Sequence, residues 1–178
     1  GFNSAPGIDL PATASKFPAQ MDPAYLAQSS IGQYEVAATP LQMLMVTSAI
    51  ANNGVLMKPH VIKSVTGSDL KVIQTIQPEQ AGRPISEGAA KQLKQMMENV
   101  VSDGTGSPAQ VSGMTIGGKT GTAQSDPNRP PYAWFVGYAT EPHVAVVAFV
   151  QSTSVERNDI SGGKVAAPVF KAVVESLR

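Results

Sequence analysis

Two apolar runs, YAWFVGYAT (132–140) and HVAVVAFVQ (143–151), are separated only by Glu141-Pro142. That link is too short for a crossover, so the two runs read as neighbouring antiparallel strands, Tyr132 to Thr140 and His143 to Ser152. A third extended candidate precedes them, Thr115 to Ser125, where threonines favour a strand and glycines permit another backbone to come close. The chain therefore carries an antiparallel meander towards its C-terminus. The sequence after it, SGGKVAAPVFKAVVESL, reads as a closing helix. Val165, Val169, Val173 and Leu177 keep a four-residue step and are expected to face the sheet.

Helices dominate the part before the meander. Thr39 can cap a helix, Pro40 suits its first position and Gly54 ends it. Between them Leu41, Met43, Leu44, Met45, Val46, Ala49, Ile50 and Ala51 are apolar nearly all round, the mark of a buried helix. A second helix is expected from Ser86 to about Val101, with Ala90, Leu93, Met97 and Val100 on one stripe. KPHVIKSVTGSDLKVIQTIQP reads as an exposed hairpin around Gly-Ser-Asp. DGTGSPAQVSGM reads as a loop. Residues 1–38 read as loop, with a short helix possible at Asp22 to Gln28. The order of elements predicts an α+β fold with α/β-like layers, an antiparallel sheet packed with helices.

Composition narrows the chemistry. Lys plus Arg is 13 and Asp plus Glu is 13, so no net field draws the chain to nucleic acid. No cysteine is present, which removes disulfides, thiolate metal sites and cysteine nucleophiles. His60 and His143 are the only histidines, too few for a multi-histidine metal site, and both are read as structural. No metal or cofactor is expected. No run approaches the ~18 apolar residues of a membrane span.

GMTIGGKTGT (113–122) carries two possible chemistries on one lysine. Gly113, Gly118, Lys119 and Thr120 fit a phosphate loop, G-x-x-x-x-G-K-[ST]. That loop needs a buried strand before it and a helix beginning at Lys-Thr. SPAQVSGMTI is no such strand, and Pro127, Pro130 and Pro131 forbid such a helix. Lys119-Thr120-Gly121 also spells K-T-G, a signature of serine acyl-transfer enzymes that bind penicillin. On an exposed strand edge, Gly121 would let a peptide add as a further strand, and Lys119 would supply a fixed cation beside the reacting carbonyl. The tripeptide alone is weak, since a surface lysine among turn glycines would look the same.

Four separated segments lift it above chance. AQSSIGQ (27–33), ATPLQMLMVTSAIANNGVLMKPHVI (38–62), GGKTGTAQ (117–124) and AWFVGYAT (133–140), in this order, resemble the C-terminal half of a class B penicillin-binding protein transpeptidase domain, most of all its actinobacterial branch. The resemblance implies an enzyme that acts outside the plasma membrane, tethered by an N-terminal span. A serine would attack the penultimate D-Ala carbonyl of a peptidoglycan stem peptide, and an amine would take the acyl group. β-Lactams would acylate the same serine. Lys119, Thr120 and Gly121 would be catalytic. Thr120 and Thr122 would hold a carboxylate, the Thr122 amide would form half of an oxyanion hole, and Ala123 would border the substrate. Trp134 is read as structural, with the cleft rim as the alternative. A D,D-carboxypeptidase, or a non-catalytic or sensor-type β-lactam-binding module, would carry the same residues.

Two of the family's three motifs are not credible here. Ser-x-Asn does not occur. Ser-x-x-Lys occurs at Ser68–Lys71, in the hairpin turn, and at Ser161–Lys164, after the sheet, where the family does not place its nucleophile. The loop-like start, GFNSAPGIDLPA, fits the same expectation: residues 1–178 are a partial transpeptidase domain without the upstream half that carries the nucleophile. Alone, the chain is expected to leave apolar surface and sheet edges open.

Overall fold

A computed structural model of the chain describes residues 1–124 and 128–178. Ser125, the expected strand end, and Pro127 lie outside the described residues. The helices are α1 (Pro23–Ser29), α2 (Pro40–Ala51), α3 (Glu87–Asp103) and α4 (Ala167–Ser176). The strands are β1 (Leu56–Met57), β2 (Ser64–Thr66), β3 (Val72–Thr75), β4 (Gln80–Gly82), β5 (Ile116–Ala123), β6 (Tyr132–Ala139) and β7 (Val144–Val150). The α+β architecture is the expected one.

The helix starts follow from capping chemistry. Asp22, Thr39 and Ser86 each accept a hydrogen bond from the amide three residues on, at 2.8, 3.1 and 3.1 Å. Each thereby satisfies a donor that the first turn cannot. Thr39 is itself held from behind, its amide donating to the Ser15 hydroxyl at 2.9 Å. The hairpin β2–β3 is present and exposed on both strands, as its polar pattern predicts. The short pair β1–β4 beneath it is not legible in the sequence.

The main sheet runs β5-β6-β7, all antiparallel and in chain order. Glu141-Pro142 makes the β6–β7 turn, with a cis peptide. One face carries Ala133, Phe135 and Ala139 of β6 against α4, and Val101, Ala109, Val111 and Ile160 close this core. Phe135 and Phe170 meet there at 4.8 Å between ring centroids, both fully buried. The other face receives α2, across β6 and β7, and α3, along β5. Tyr138 points that way, and its hydroxyl donates to Glu98 Oε1 of α3 at 2.9 Å. Burial, and then the Glu98 carboxylate, push the Tyr138 phenol well above its ordinary pKa.

β5 can lie this close only because it is glycine-rich. A Cβ on Gly117 would stand 2.4 Å from the Tyr138 ring, and one on Gly118 would stand 2.3 Å from the Phe135 ring. The segment before α4 makes a similar approach. Gly162 opens a five-residue π-helical turn, Gly162–Ala166, and a Cβ there would meet the Trp134 carbonyl oxygen at 2.2 Å and the Gly121 carbonyl oxygen at 2.7 Å.

The stripe assigned to the closing helix is corrected. Val169, Val173 and Leu177 are exposed, and the buried residues are Ala166, Ala167, Phe170 and Val174. Both sets step by about four residues, so periodicity could not choose between them. Packing does: Phe170 fills the hollow above Gly137, where β6 has no side chain. The all-round apolar α2 is also less uniform in place than in sequence. Met45 and Ala49 are buried, but so are Gln42 and Thr47, while Val46 is exposed.

In the complete protein, Phe170→Ala should lower stability by about 3–5 kcal/mol, the range for deleting a buried ring. Gly162→Ala should lower it by about 1–3 kcal/mol, because the backbone below the new methyl cannot yield as a side chain would. Denaturant midpoints of each variant against the parent check both.

Candidate functional site

β5 is an edge strand, and its ladder fixes which groups face outwards. The Thr140 amide donates to the Thr115 carbonyl at 3.2 Å, so this pair is of the hydrogen-bonded kind. Antiparallel pairs alternate, and the register is unbroken from Ile116↔Ala139 to Ala123↔Tyr132. Gly117, Lys119, Gly121 and Ala123 therefore turn their amides and carbonyls to β6. Gly118, Thr120 and Thr122 turn theirs to the open side, where no described strand pairs with them.

The side chains split between the two faces. Thr120 lies opposite Phe135 and Thr122 opposite Ala133, on the α4 face. Lys119 lies opposite Val136 and Gly121 opposite Trp134, on the face of α2 and α3. Lys119 is exposed, and its ammonium bends round the edge to donate to the outward Thr120 carbonyl at 2.8 Å. Thr120 is half-buried, with its hydroxyl 2.8 Å from that of Thr105. Thr122 is exposed, and its hydroxyl accepts from the Gly162 amide at 3.4 Å, a bond that does not use the hydroxyl proton.

One short edge thus gathers a cation, two hydroxyls and an outward amide at Thr122. Such a set suits an anionic ligand bound as an added strand, with an amide ready for developing negative charge. Lys119, Thr120 and Thr122 come together here. Gly121 contributes its lack of a side chain, since a Cβ would stand 3.2 Å from Trp134 Cβ. Ala123 differs from the outward positions Gly118, Thr120 and Thr122: it sits in a hydrogen-bonded pair with Tyr132, so its amide faces β6. Trp134 is half-buried against Phe149, at 4.3 Å between ring centroids.

Two residues at this edge escaped the sequence reading, Thr105 and Gly162. The only signals were the Gly-Thr-Gly within a stretch read as loop and the Gly162-Gly163 pair, a mark of close backbone approach. Lys119 sits mid-strand and not at a helix start, unlike a phosphate-loop lysine. In both Ser-x-x-Lys stretches the lysine ammonium pairs with an aspartate, and the Ser161 hydroxyl caps its turn by accepting from the Lys164 backbone amide at 3.2 Å. The Lys71 ammonium pairs with Asp69 at 3.1 Å and that of Lys164 with Asp159 at 2.6 Å. Their hydrogen bonds hold both carboxyls below the usual range. A cleft of about 530 Å³ opens elsewhere, between α2, α3 and the β6–β7 turn, lined by Met45, Glu98, Tyr138 and His143. Lys119 does not line it.

The model of the penicillin-binding protein transpeptidase domain family matches residues 1–175. The peptidoglycan D,D-transpeptidase PbpA of Mycolicibacterium smegmatis is 38% identical over 174 residues, covering 95% of this chain and 35% of that protein. PbpA of Mycobacterium tuberculosis is 37% identical over 163 residues, covering 87% of this chain and 32% of that protein. Among solved structures, the penicillin G acyl-enzyme complex of penicillin-binding protein A from M. tuberculosis is 34% identical, with a TM-score of 0.88. It covers 100% of this chain and 41% of that one. The chain spans about a third of the length of these curated relatives, 35% and 32%. It belongs to the penicillin-binding protein transpeptidase domain family.

Proposed function

We propose that this chain is the C-terminal part of a serine D,D-transpeptidase that cross-links peptidoglycan stem peptides and is acylated by β-lactams. The observation that carries the reading is the open edge of β5. Lys119 supplies the positive field beside the reacting carbonyl, and the Thr122 amide supplies one oxyanion donor. The hydroxyls of Thr120 and Thr122 hold the carboxylate of the stem peptide or the β-lactam, and Gly121 keeps the approach clear. The nucleophilic serine and its lysine come from an upstream half, as does the Ser-x-Asn motif. The acyl group passes from the D-Ala carbonyl to that serine with loss of D-Ala, and then to an amine of a neighbouring strand. A membrane anchor upstream would keep the domain at the outer face of the plasma membrane. Among the described residues, no helix is long and apolar enough to cross a membrane.

Support for an upstream half comes from the other end of the sheet. β6 bonds to β5 through its even-numbered residues and to β7 through its odd-numbered ones. By the same alternation Ala145, Val147 and Phe149 turn their backbone groups away from β6, and no described strand meets them. Leu26, Ile31, Val169 and Val173 are exposed. Residues 1–178 produced alone should therefore aggregate and melt without cooperativity. A monomeric elution with a sharp thermal transition would refute the split-domain assignment.

The complete protein treated with penicillin G should gain one penicillin-sized adduct by intact mass, on a peptide outside residues 1–178. Lys119→Ala should slow its formation by about 10²-fold or more, the usual loss for one preorganised electrostatic group. An unchanged rate would remove Lys119 from the mechanism, and no adduct in the parent would remove the enzymatic reading.

A further inference from the structure

Thr105 lies just beyond α3, and its hydroxyl is 2.8 Å from that of Thr120. The backbone there is also clamped from the other side. A Cβ on Gly163 would stand 2.4 Å from the Thr105 carbonyl oxygen, so only glycine lets the π-helical turn close over it. Thr105 is thus fixed between β5 and the segment that leads into α4, yet it remains exposed towards the edge.

A hydroxyl has one proton and two acceptor lone pairs. Two hydroxyls joined by one hydrogen bond keep a single proton for a third group. If Thr120 donates to Thr105, Thr120 offers only lone pairs to the edge, and these repel an anion. If Thr105 donates to Thr120, the Thr120 proton is free for the anion. A bound carboxylate selects the second arrangement, and in a chain of donors each hydrogen bond polarises the next.

We propose that Thr105 is a positioning residue for carboxylate recognition, donating to Thr120 so that the Thr120 proton points at the anion. This assignment rests on the transpeptidase reading above. It gives the stretch DGTG a role that the K-T-G strand alone does not supply. Thr105 does not touch the reacting carbonyl, so its effect falls on binding more than on the acylation step.

The test uses the complete protein as parent, Thr105→Val and Thr105→Ser, with Thr105→Ala as a second hydroxyl-free variant should valine not fold. Acylation is followed with penicillin G and with its methyl ester, whose carboxylate is masked. Thr105→Val should lower the second-order constant for penicillin G about 3- to 10-fold, the range of one neutral hydrogen bond, and leave the ester within about twofold. The loss should sit in the saturation constant and not in the limiting rate, and Thr105→Ser should restore it. An equal loss on both compounds, no loss, or no rescue by serine would overturn the assignment. A parent protein that penicillin G does not acylate would overturn the transpeptidase reading itself, and that failure is visible before any variant is compared.

Discussion

Gly117 and Gly118 set β5 directly against the rings of Tyr138 and Phe135, and the remainder of the site depends on that contact. Two aromatic side chains of one strand reach to opposite faces, and the neighbouring strand must be nearly bare where they pass. Phe135 then completes the core with Phe170, while Tyr138 ties the sheet to α3 through Glu98. A β5 with larger residues there would be pushed away from β6, and the ladder that orients Lys119, Thr120 and Thr122 would be lost. Core packing and edge chemistry are thus two results of one steric condition.

The same economy governs the other side of the strand. Gly162 lies over the Gly121–Trp134 pair, and Gly163 lies over Thr105. Both hydroxyls of β5 on the α4 face meet partners from elsewhere in the chain, Thr120 from the end of α3 and Thr122 from the start of the π-helical turn. Hydroxyls held in this way present a limited set of orientations, which matters where a fixed donor geometry decides what binds.

Much of this was legible in the sequence. The meander followed from two apolar runs with a two-residue link, and the helix starts followed from Thr39, Ser86 and a possible short helix beside Asp22. K-T-G on a strand followed from the prolines after it, and the four family-like segments identified the domain. What stayed hidden was long-range. Val169 and Phe170 are adjacent and both apolar, and only the bare position at Gly137 decides which one is buried. The hydrogen bond of Thr105 joins residues 15 apart across separate elements, and that between Gly162 and Thr122 spans 40. Neither leaves a periodic trace.

The alternation along β5 also has an arithmetic consequence. Even-numbered residues there speak to whatever binds, and odd-numbered ones speak to β6. Any substitution keeps that parity, but a single-residue insertion or deletion between Gly118 and Thr122 reverses it. Thr122 would then turn its amide to β6 and its hydroxyl to the face of α2 and α3, while the sheet could still form. A change of length by one in this strand thus disturbs positions whose residue types are untouched, a constraint that acts through counting and not through chemistry.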